Sequence, residues 1–140
     1  MRLLMKTFHL LCVVALCAWV PSASAESAAD PKQLDAIVDK ALQAYNANDP
    51  KAFFADYAKS VESIATPQTF ESMYRGLYFT QHGKYISRKM NNSASVLTGD
   101  FLVVIYDAVF EKTKKVKLAL NFAKEGTSYK IVQMQFDTQP

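Results

Sequence analysis

The sequence predicts an α+β domain in which three N-terminal helices pack on a curved, four-stranded antiparallel sheet. Up to about residue 82 the apolar residues recur every three or four positions, which is the spacing of one face of a helix. From residue 84 onward they tend to alternate with polar residues, and turn residues divide the chain into short extended segments. No repeat or linker interrupts this order, and residues 26–140 suffice for one hydrophobic core, so we expect a single domain.

The first 25 residues have the order of a secretory signal peptide. Two basic residues precede an apolar run at 8–20, and residues 23–25 (Ala-Ser-Ala) offer small side chains to a signal peptidase. A run of 13 residues is shorter than the roughly 20 that a membrane-spanning helix needs. We therefore expect cleavage between Ala25 and Glu26 and a periplasmic or secreted product that does not bind membranes.

Cysteine and charge limit the remaining domain. Cleavage removes Cys12 and Cys17, so the exported domain would contain no disulfide and would depend on its core. A lipid anchor at either cysteine is the alternative, although Leu11 and Leu16 stand where a small residue is wanted. Outside the signal, 14 basic residues face 13 acidic ones, and the lysines at 112–117 have no interleaved aromatics. We expect no nucleic-acid partner.

Each predicted helix opens with a proline that follows a side chain able to cap free amides. The three prolines are Pro31, Pro50 and Pro67, and the capping residue is Asp or Thr. The second helix is expected to be the shorter, aromatic one, and the third to end at 81–83. The apolar residues expected on the packed faces are Leu34, Ile37, Val38, Ala41, Leu42 and Tyr45 in the first helix, Phe53, Phe54, Tyr57, Ala58 and Val61 in the second, and Phe70, Met73, Tyr74 and Leu77 in the third.

The strands follow from the alternation of apolar residues. They are expected at 85–90, with a continuation toward 97, and at 101–110, 116–122 and 129–136. Even-numbered apolar residues of the second and third strands share a buried face only if the connection has an odd length, and three residues at 111–113 or 112–114 satisfy this. The last strand changes phase near Ile131, which predicts a β-bulge that curves the sheet.

Several short stretches resemble a known superfamily. Residues 44–49 (Ala-Tyr-Asn-Ala-Asn-Asp) and the aromatic residues after them are similar to the junction of the first two helices in the nuclear transport factor 2-like superfamily. Residues 83–88, 99–106 and 126–132 are similar to the secreted bacterial domain of unknown function 4019 family. The resemblance covers nearly all of residues 26–140. It implies a cystatin-like, cone-shaped fold whose helices close over a concave sheet, with no established activity.

The residues do not favour catalysis. Ketosteroid isomerases of this superfamily use a tyrosine in helix one and a carboxylate after helix two, and these positions hold Ala41 and Ala65 here, unless a gap shifts the second to Glu62. His82, the single histidine of residues 26–140, falls in a predicted loop without a nearby acid, so we expect a surface residue rather than a base. No spacing supplies three or four metal ligands. We expect no catalytic residue, no metal and no cofactor.

Tyrosines and arginines are the candidate ligand-binding residues. A buried tyrosine needs a partner for its hydroxyl and is therefore common at a pocket wall, although a plain aromatic core is the alternative. An arginine could hold an anionic end of the ligand through its fork of donors. The candidates for a small apolar or amphipathic ligand are Tyr57, Tyr74, Tyr78, Tyr106 and Arg88, with Arg75 as the other arginine.

Odd-numbered apolar residues of the second strand predict an interface. Phe101, Val103, Ile105 and Val109 should lie on the outer face of the sheet, where such a patch suggests a homodimer. Asp107 interrupts this set, either as a buried acid or, on the plainer interpretation, as the ion-pair partner of Lys117. We thus expect a non-enzymatic domain that binds a ligand or a protein. An assembly module with a filled pocket is the alternative, and a small isomerase or dehydratase is the third candidate.

Overall fold

A computed structural model describes residues 27–138 of the chain. The predicted signal peptide and its cleavage site lie outside these residues. Within them, helices precede four antiparallel strands, which confirms the predicted α+β order. None of the helices in this range combines the length and the apolar character that crossing a membrane demands.

The first helix, α1 (Pro31–Ala47), begins at the proline that its sequence predicts. The Asp30 carboxylate accepts a hydrogen bond from the backbone N–H of Lys32 at 3.0 Å, and Pro31 occupies the first turn. The helix stops at Asn48, whose φ of 58° is left-handed and ends the helical hydrogen-bond pattern. Leu34, Val38 and Leu42 are buried on its inner face, as the apolar spacing indicates.

The second helix, α2 (Pro50–Phe53), is shorter than the sequence predicts. The chain leaves the helix because the backbone N–H of Ala58 donates to the carbonyl oxygen of Ile131 at 2.8 Å. In return, the N–H of Ile131 donates to the carbonyl oxygen of Asp56 at 2.9 Å. These two bonds pair the segment with a strand, and a 3-10 turn (Lys59–Val61) follows. The prediction of a helix that continues through Val61 is therefore wrong.

The third helix, α3, spans residues 67–82 and is π-helical over most of its length. An α-helical turn (Pro67–Thr69) leads into the π-helix (Phe70–Phe79), and Thr80–His82 closes it. Bonding from residue i to i+5 widens each turn, so the faces differ from those of an α-helix.

The widened turns change which apolar residues of α3 are buried. Phe70 and Tyr74 are buried, as predicted. Met73 and Leu77 are 43% and 54% exposed, although the α-helical spacing placed them on the packed face. The helix period assumed from the sequence was wrong here, because a π-helix leaves no clear periodic signature in a single sequence.

The sheet is a meander with the strand order β1-β2-β3-β4. Its strands are β1 (Tyr85–Met90), β2 (Phe101–Phe110), β3 (Val116–Glu125) and β4 (Ser128–Thr138). The connection from β2 to β3 is 111–115, so its length is odd as predicted but longer than three residues. The register of β3 with β4 slips so that Phe122 pairs with Ile131 and Asn121 with Gln133, which leaves Val132 as the predicted bulge.

The core lies between α1, α3 and the even-numbered face of β2 and β3. Cross-strand pairs such as Tyr106 with Leu118 and Val104 with Leu120 lie on this face and are buried. The prediction that this set is hidden from water is confirmed. The buried residues of the two strands are Leu102, Val104, Tyr106, Ala108, Phe110, Val116, Leu118, Leu120 and Phe122.

Candidate ligand-binding site

Three of the predicted tyrosines lie together in one pocket, which we call the tyrosine pocket. Tyr57, Tyr74 and Tyr78 line a partly enclosed cavity of about 160 Å³ between the segment after α2, the helix α3 and the strand β4. The other lining residues are Phe54, Ile64, Ala65, Thr69, Met73, Val132, Gln133, Met134 and Gln135. Most of this wall is apolar, and none of the lining residues carries a charge.

Aromatic packing fixes the inner wall of the tyrosine pocket. The ring centroids of Phe53 and Tyr74 lie 4.4 Å apart, and Phe70 stacks on Tyr74 with an interplanar angle of 27°. Tyr78 packs against Phe136, with 4.6 Å between the ring centroids. Because Tyr74 and Tyr78 each contact a ring from another element, packing fixes the position of both side chains.

Two tyrosine hydroxyls form a chain of hydrogen bonds at the pocket. The Tyr74 hydroxyl donates to the carbonyl oxygen of Met134 at 3.1 Å, and the hydroxyl oxygens of Tyr57 and Tyr74 lie 3.4 Å apart. Burial raises the pKa of Tyr74 to about 12 and that of Tyr57 well above 10. Both hydroxyls are therefore neutral at ordinary pH.

The mouth of the tyrosine pocket has an exposed apolar margin. Ile64 is 60% exposed and Met73 also faces solvent, and both line the cavity. Leu77, further along α3, is also exposed. Exposed large apolar side chains beside a cavity favour an apolar occupant.

Arg88 and Tyr106 lie in a different cluster, outside the tyrosine pocket. Arg88 is an ion-pair partner of both Asp35 and Asp39, and its side chain is 8% exposed. The Tyr106 hydroxyl donates to an Asp35 carboxylate oxygen at 2.8 Å. The two carboxylates already balance the guanidinium, so this cluster joins α1 to the sheet. Arg75 is also placed elsewhere: it lies over the Phe79 ring, 3.6 Å from its centroid.

His82 is fully buried, so its prediction as a surface loop residue is wrong. Its ring packs against Tyr78 and Phe110, and Nδ1 lies 3.1 Å from the hydroxyl oxygen of Thr113. Nε2 has no hydrogen-bond partner within residues 27–138. Burial lowers the pKa of His82 from its usual 6.5, which keeps the ring neutral. The four-residue spacing from Tyr78 is the sequence signal that would have placed His82 on the face of α3 rather than in a loop.

The predicted interface residues lie on the outer face of β2. Phe101 is 73% exposed, Val103 is also exposed, and Ile105 and Val109 are half-buried. Asp107 is exposed, which excludes the buried-acid interpretation.

The ion pair expected for Asp107 is not formed. Asp107 faces Lys117 across the β2–β3 ladder and Lys89 across the β1–β2 ladder. None of the ion pairs between residues 27 and 138 includes its carboxylate at 4.0 Å or less. Asp107 and the two lysines that face it are therefore solvated rather than paired at short range.

In the described part of the chain, no three carboxylate or imidazole side chains are grouped as a metal site would require. Comparison with models of protein families, with curated proteins and with solved structures finds no match to this chain.

Proposed function

We propose that this protein is an exported, non-enzymatic domain that binds one small, neutral, apolar or amphipathic molecule in the tyrosine pocket. The observation that carries the proposal is an apolar cavity of about 160 Å³ with hydroxyl groups in its wall. An apolar cavity of about 150 Å³ in another protein accommodates benzene. The expected ligand therefore has about the size of one substituted ring.

Binding is favoured over catalysis because the pocket offers no acid or base for proton transfer near neutral pH. A general base works best when its pKa is close to the working pH, whereas burial raises the pKa of Tyr57 and Tyr74 away from it. Ala65, at the position where isomerases of the resembled superfamily carry a carboxylate, lines the cavity. A carboxylate that could abstract a proton is thus missing from the wall.

We further propose that the domain has the cone-shaped nuclear transport factor 2-like fold. The order of helices and strands, the meander and the bulge at Val132 agree with a cone-shaped nuclear transport factor 2-like domain. Such a fold opens a cavity between its helices and its sheet, where the tyrosine pocket lies. Export through the N-terminal signal would place the domain in the periplasm or outside the cell.

An assembly module is the second candidate function. The outer face of β2 exposes Phe101 and Val103, and Val96 pairs with Val103 on the same face. Such a patch is typical of an interface between two copies. Sedimentation of the wild type and of Phe101→Lys distinguishes this candidate, because only an assembly through this face would dissociate in the variant.

A pocket-filling substitution tests the binding function. Ala65→Leu places three more carbon atoms in the cavity, whereas Ala94→Leu adds them on an exposed turn. Toluene should raise the melting temperature of the wild type and of Ala94→Leu, but not of Ala65→Leu. Equal stabilisation of all three proteins, or none, would overturn the proposal. Native mass spectrometry of protein from its source compartment would then identify the retained ligand.

A further inference from the structure

The direction of the hydrogen bonds at the tyrosine pocket restricts the ligand further. The carbonyl oxygen of Met134 can only accept a hydrogen bond, so the Tyr74 hydroxyl donates its single proton to that oxygen. The contact between Tyr57 and Tyr74 then has one direction. Tyr57 donates its proton to the Tyr74 oxygen.

In this direction the Tyr57 hydroxyl oxygen can still accept a hydrogen bond, but its proton is already used. No donor among residues 27–138 reaches the Tyr57 hydroxyl oxygen besides the Tyr74 group, whose proton is already used. Tyr57 is half-buried in the pocket wall, and a ligand that supplies the missing donor would add one hydrogen bond there. Tyr57 is therefore the point in the pocket where a ligand hydrogen-bond donor is favoured.

The other polar groups of the wall do not impose the same direction. The Thr69 hydroxyl contacts that of Thr66 at the start of α3, and the Gln133 side chain accepts from Asn121. Tyr78 and Gln135 can each donate or accept. Tyr57 is the side chain of the wall whose contacts fix it as an acceptor with no proton left to donate.

Charge is excluded by the composition of the wall. The twelve residues that line the cavity include no Asp, Glu, Lys, Arg or His. A charged ligand would lose its hydration without gaining a countercharge. A neutral ligand loses less hydration than a charged one, and hydrogen bonds and apolar contacts in the pocket can compensate for that loss.

We propose that the ligand of the tyrosine pocket is a neutral molecule with a hydroxyl or N–H group on a compact apolar body, as in a phenol or an indole, and that this group donates to Tyr57. This inference rests on the proposed binding function and adds the chemical class of the ligand to it.

Three probes of nearly equal shape separate the alternatives. Phenol carries a donor, anisole carries an acceptor only, and toluene carries neither. Each probe is titrated calorimetrically into the wild type and into Tyr57→Phe. The ratio of the two dissociation constants is taken for each probe separately, so the different hydration of the probes cancels. The control is Tyr129→Phe, which removes a hydroxyl that donates to Gly99 away from the pocket. Thermal melts of each variant verify that it is folded.

The expected result is a loss of affinity for phenol alone. Tyr57→Phe should weaken phenol about three- to tenfold, as for one hydrogen bond, and change anisole and toluene less than about twofold. Tyr129→Phe should leave all three constants unchanged. If Tyr57→Phe weakens all three probes equally or none, or if benzylammonium or benzoate binds more tightly than phenol, the donor inference is overturned and the pocket function stands. If no probe binds the wild type, the pocket function itself is overturned.

Discussion

Replacing Phe110 by alanine tests whether the even-numbered face of β2 forms the core. Phe110 is fully buried, and its ring contacts Tyr45, His82 and Phe136 at centroid distances of 6.1, 5.7 and 5.2 Å. Removing the ring loses its transfer free energy and leaves a cavity that neighbours on three elements cannot close. We expect a loss of about 3 to 5 kcal/mol in the free energy of unfolding.

Phe101→Ala is the matched control for this substitution. Phe101 lies on the same strand and has the same side chain, but it is on the outer face and largely exposed. Its replacement should change the free energy of unfolding by less than about 0.5 kcal/mol. Urea titrations followed by far-ultraviolet circular dichroism measure both variants on the same footing. Equal losses, or a larger loss for Phe101→Ala, would refute the assignment of faces.

Two further substitutions test the buried polar groups. The pKa of His82 is lower in the folded than in the unfolded state, so the unfolded protein binds a proton first as the pH falls. The contribution of His82 to the free energy of unfolding is therefore complete above about pH 6.5. Below that pH it decreases by at most about 1.4 kcal/mol per pH unit. The wild type should therefore lose more stability than His82→Phe between pH 8 and pH 5.5 in urea titrations, and parallel curves would contradict this. Arg88→Met should cost about 1 to 3 kcal/mol at pH 7, because Asp35 and Asp39 lose their partner but stay partly solvated; an unchanged urea midpoint would show that the cluster does not tie α1 to the sheet.

Local signals in the sequence were sufficient for the regular elements. The helix α1 has a capping aspartate, a proline in its first turn and an uninterrupted apolar stripe, and all three act within the helix itself. The alternation of β2 and β3 likewise determined which residues are buried, since parity alone decides the face of a strand. The bulge at Val132 followed from the change of phase in β4.

Contacts between distant segments decided the elements that the sequence did not predict. The helix α2 ends early because Ala58 and Asp56 bond to Ile131, which lies far away in the chain. The burial of His82 depends on Phe110 and Phe136, whose rings pack against it from the sheet. Local propensity does not contain these contacts.

The sequence predicts only part of the candidate site, because the rest depends on contacts between distant segments. Residue type predicts Tyr57, Tyr74 and Tyr78, and these three do line one cavity. The same reasoning predicts Arg88 and Tyr106, yet the aspartates of α1 bind both. Only the fold reveals that Asp35 and Asp39, four residues apart on α1, face them.

The position of a bound phenol in a crystal structure shows whether the tyrosine pocket takes a hydrogen-bond donor. Crystals grown with 4-bromophenol would locate the bromine by its anomalous scattering, without relying on weak ligand density. We expect one bromine peak inside the tyrosine pocket, with the ligand hydroxyl about 2.7 Å from the Tyr57 hydroxyl oxygen. A peak only on the outer face near Phe101, or no peak in the pocket at saturating ligand, would contradict it.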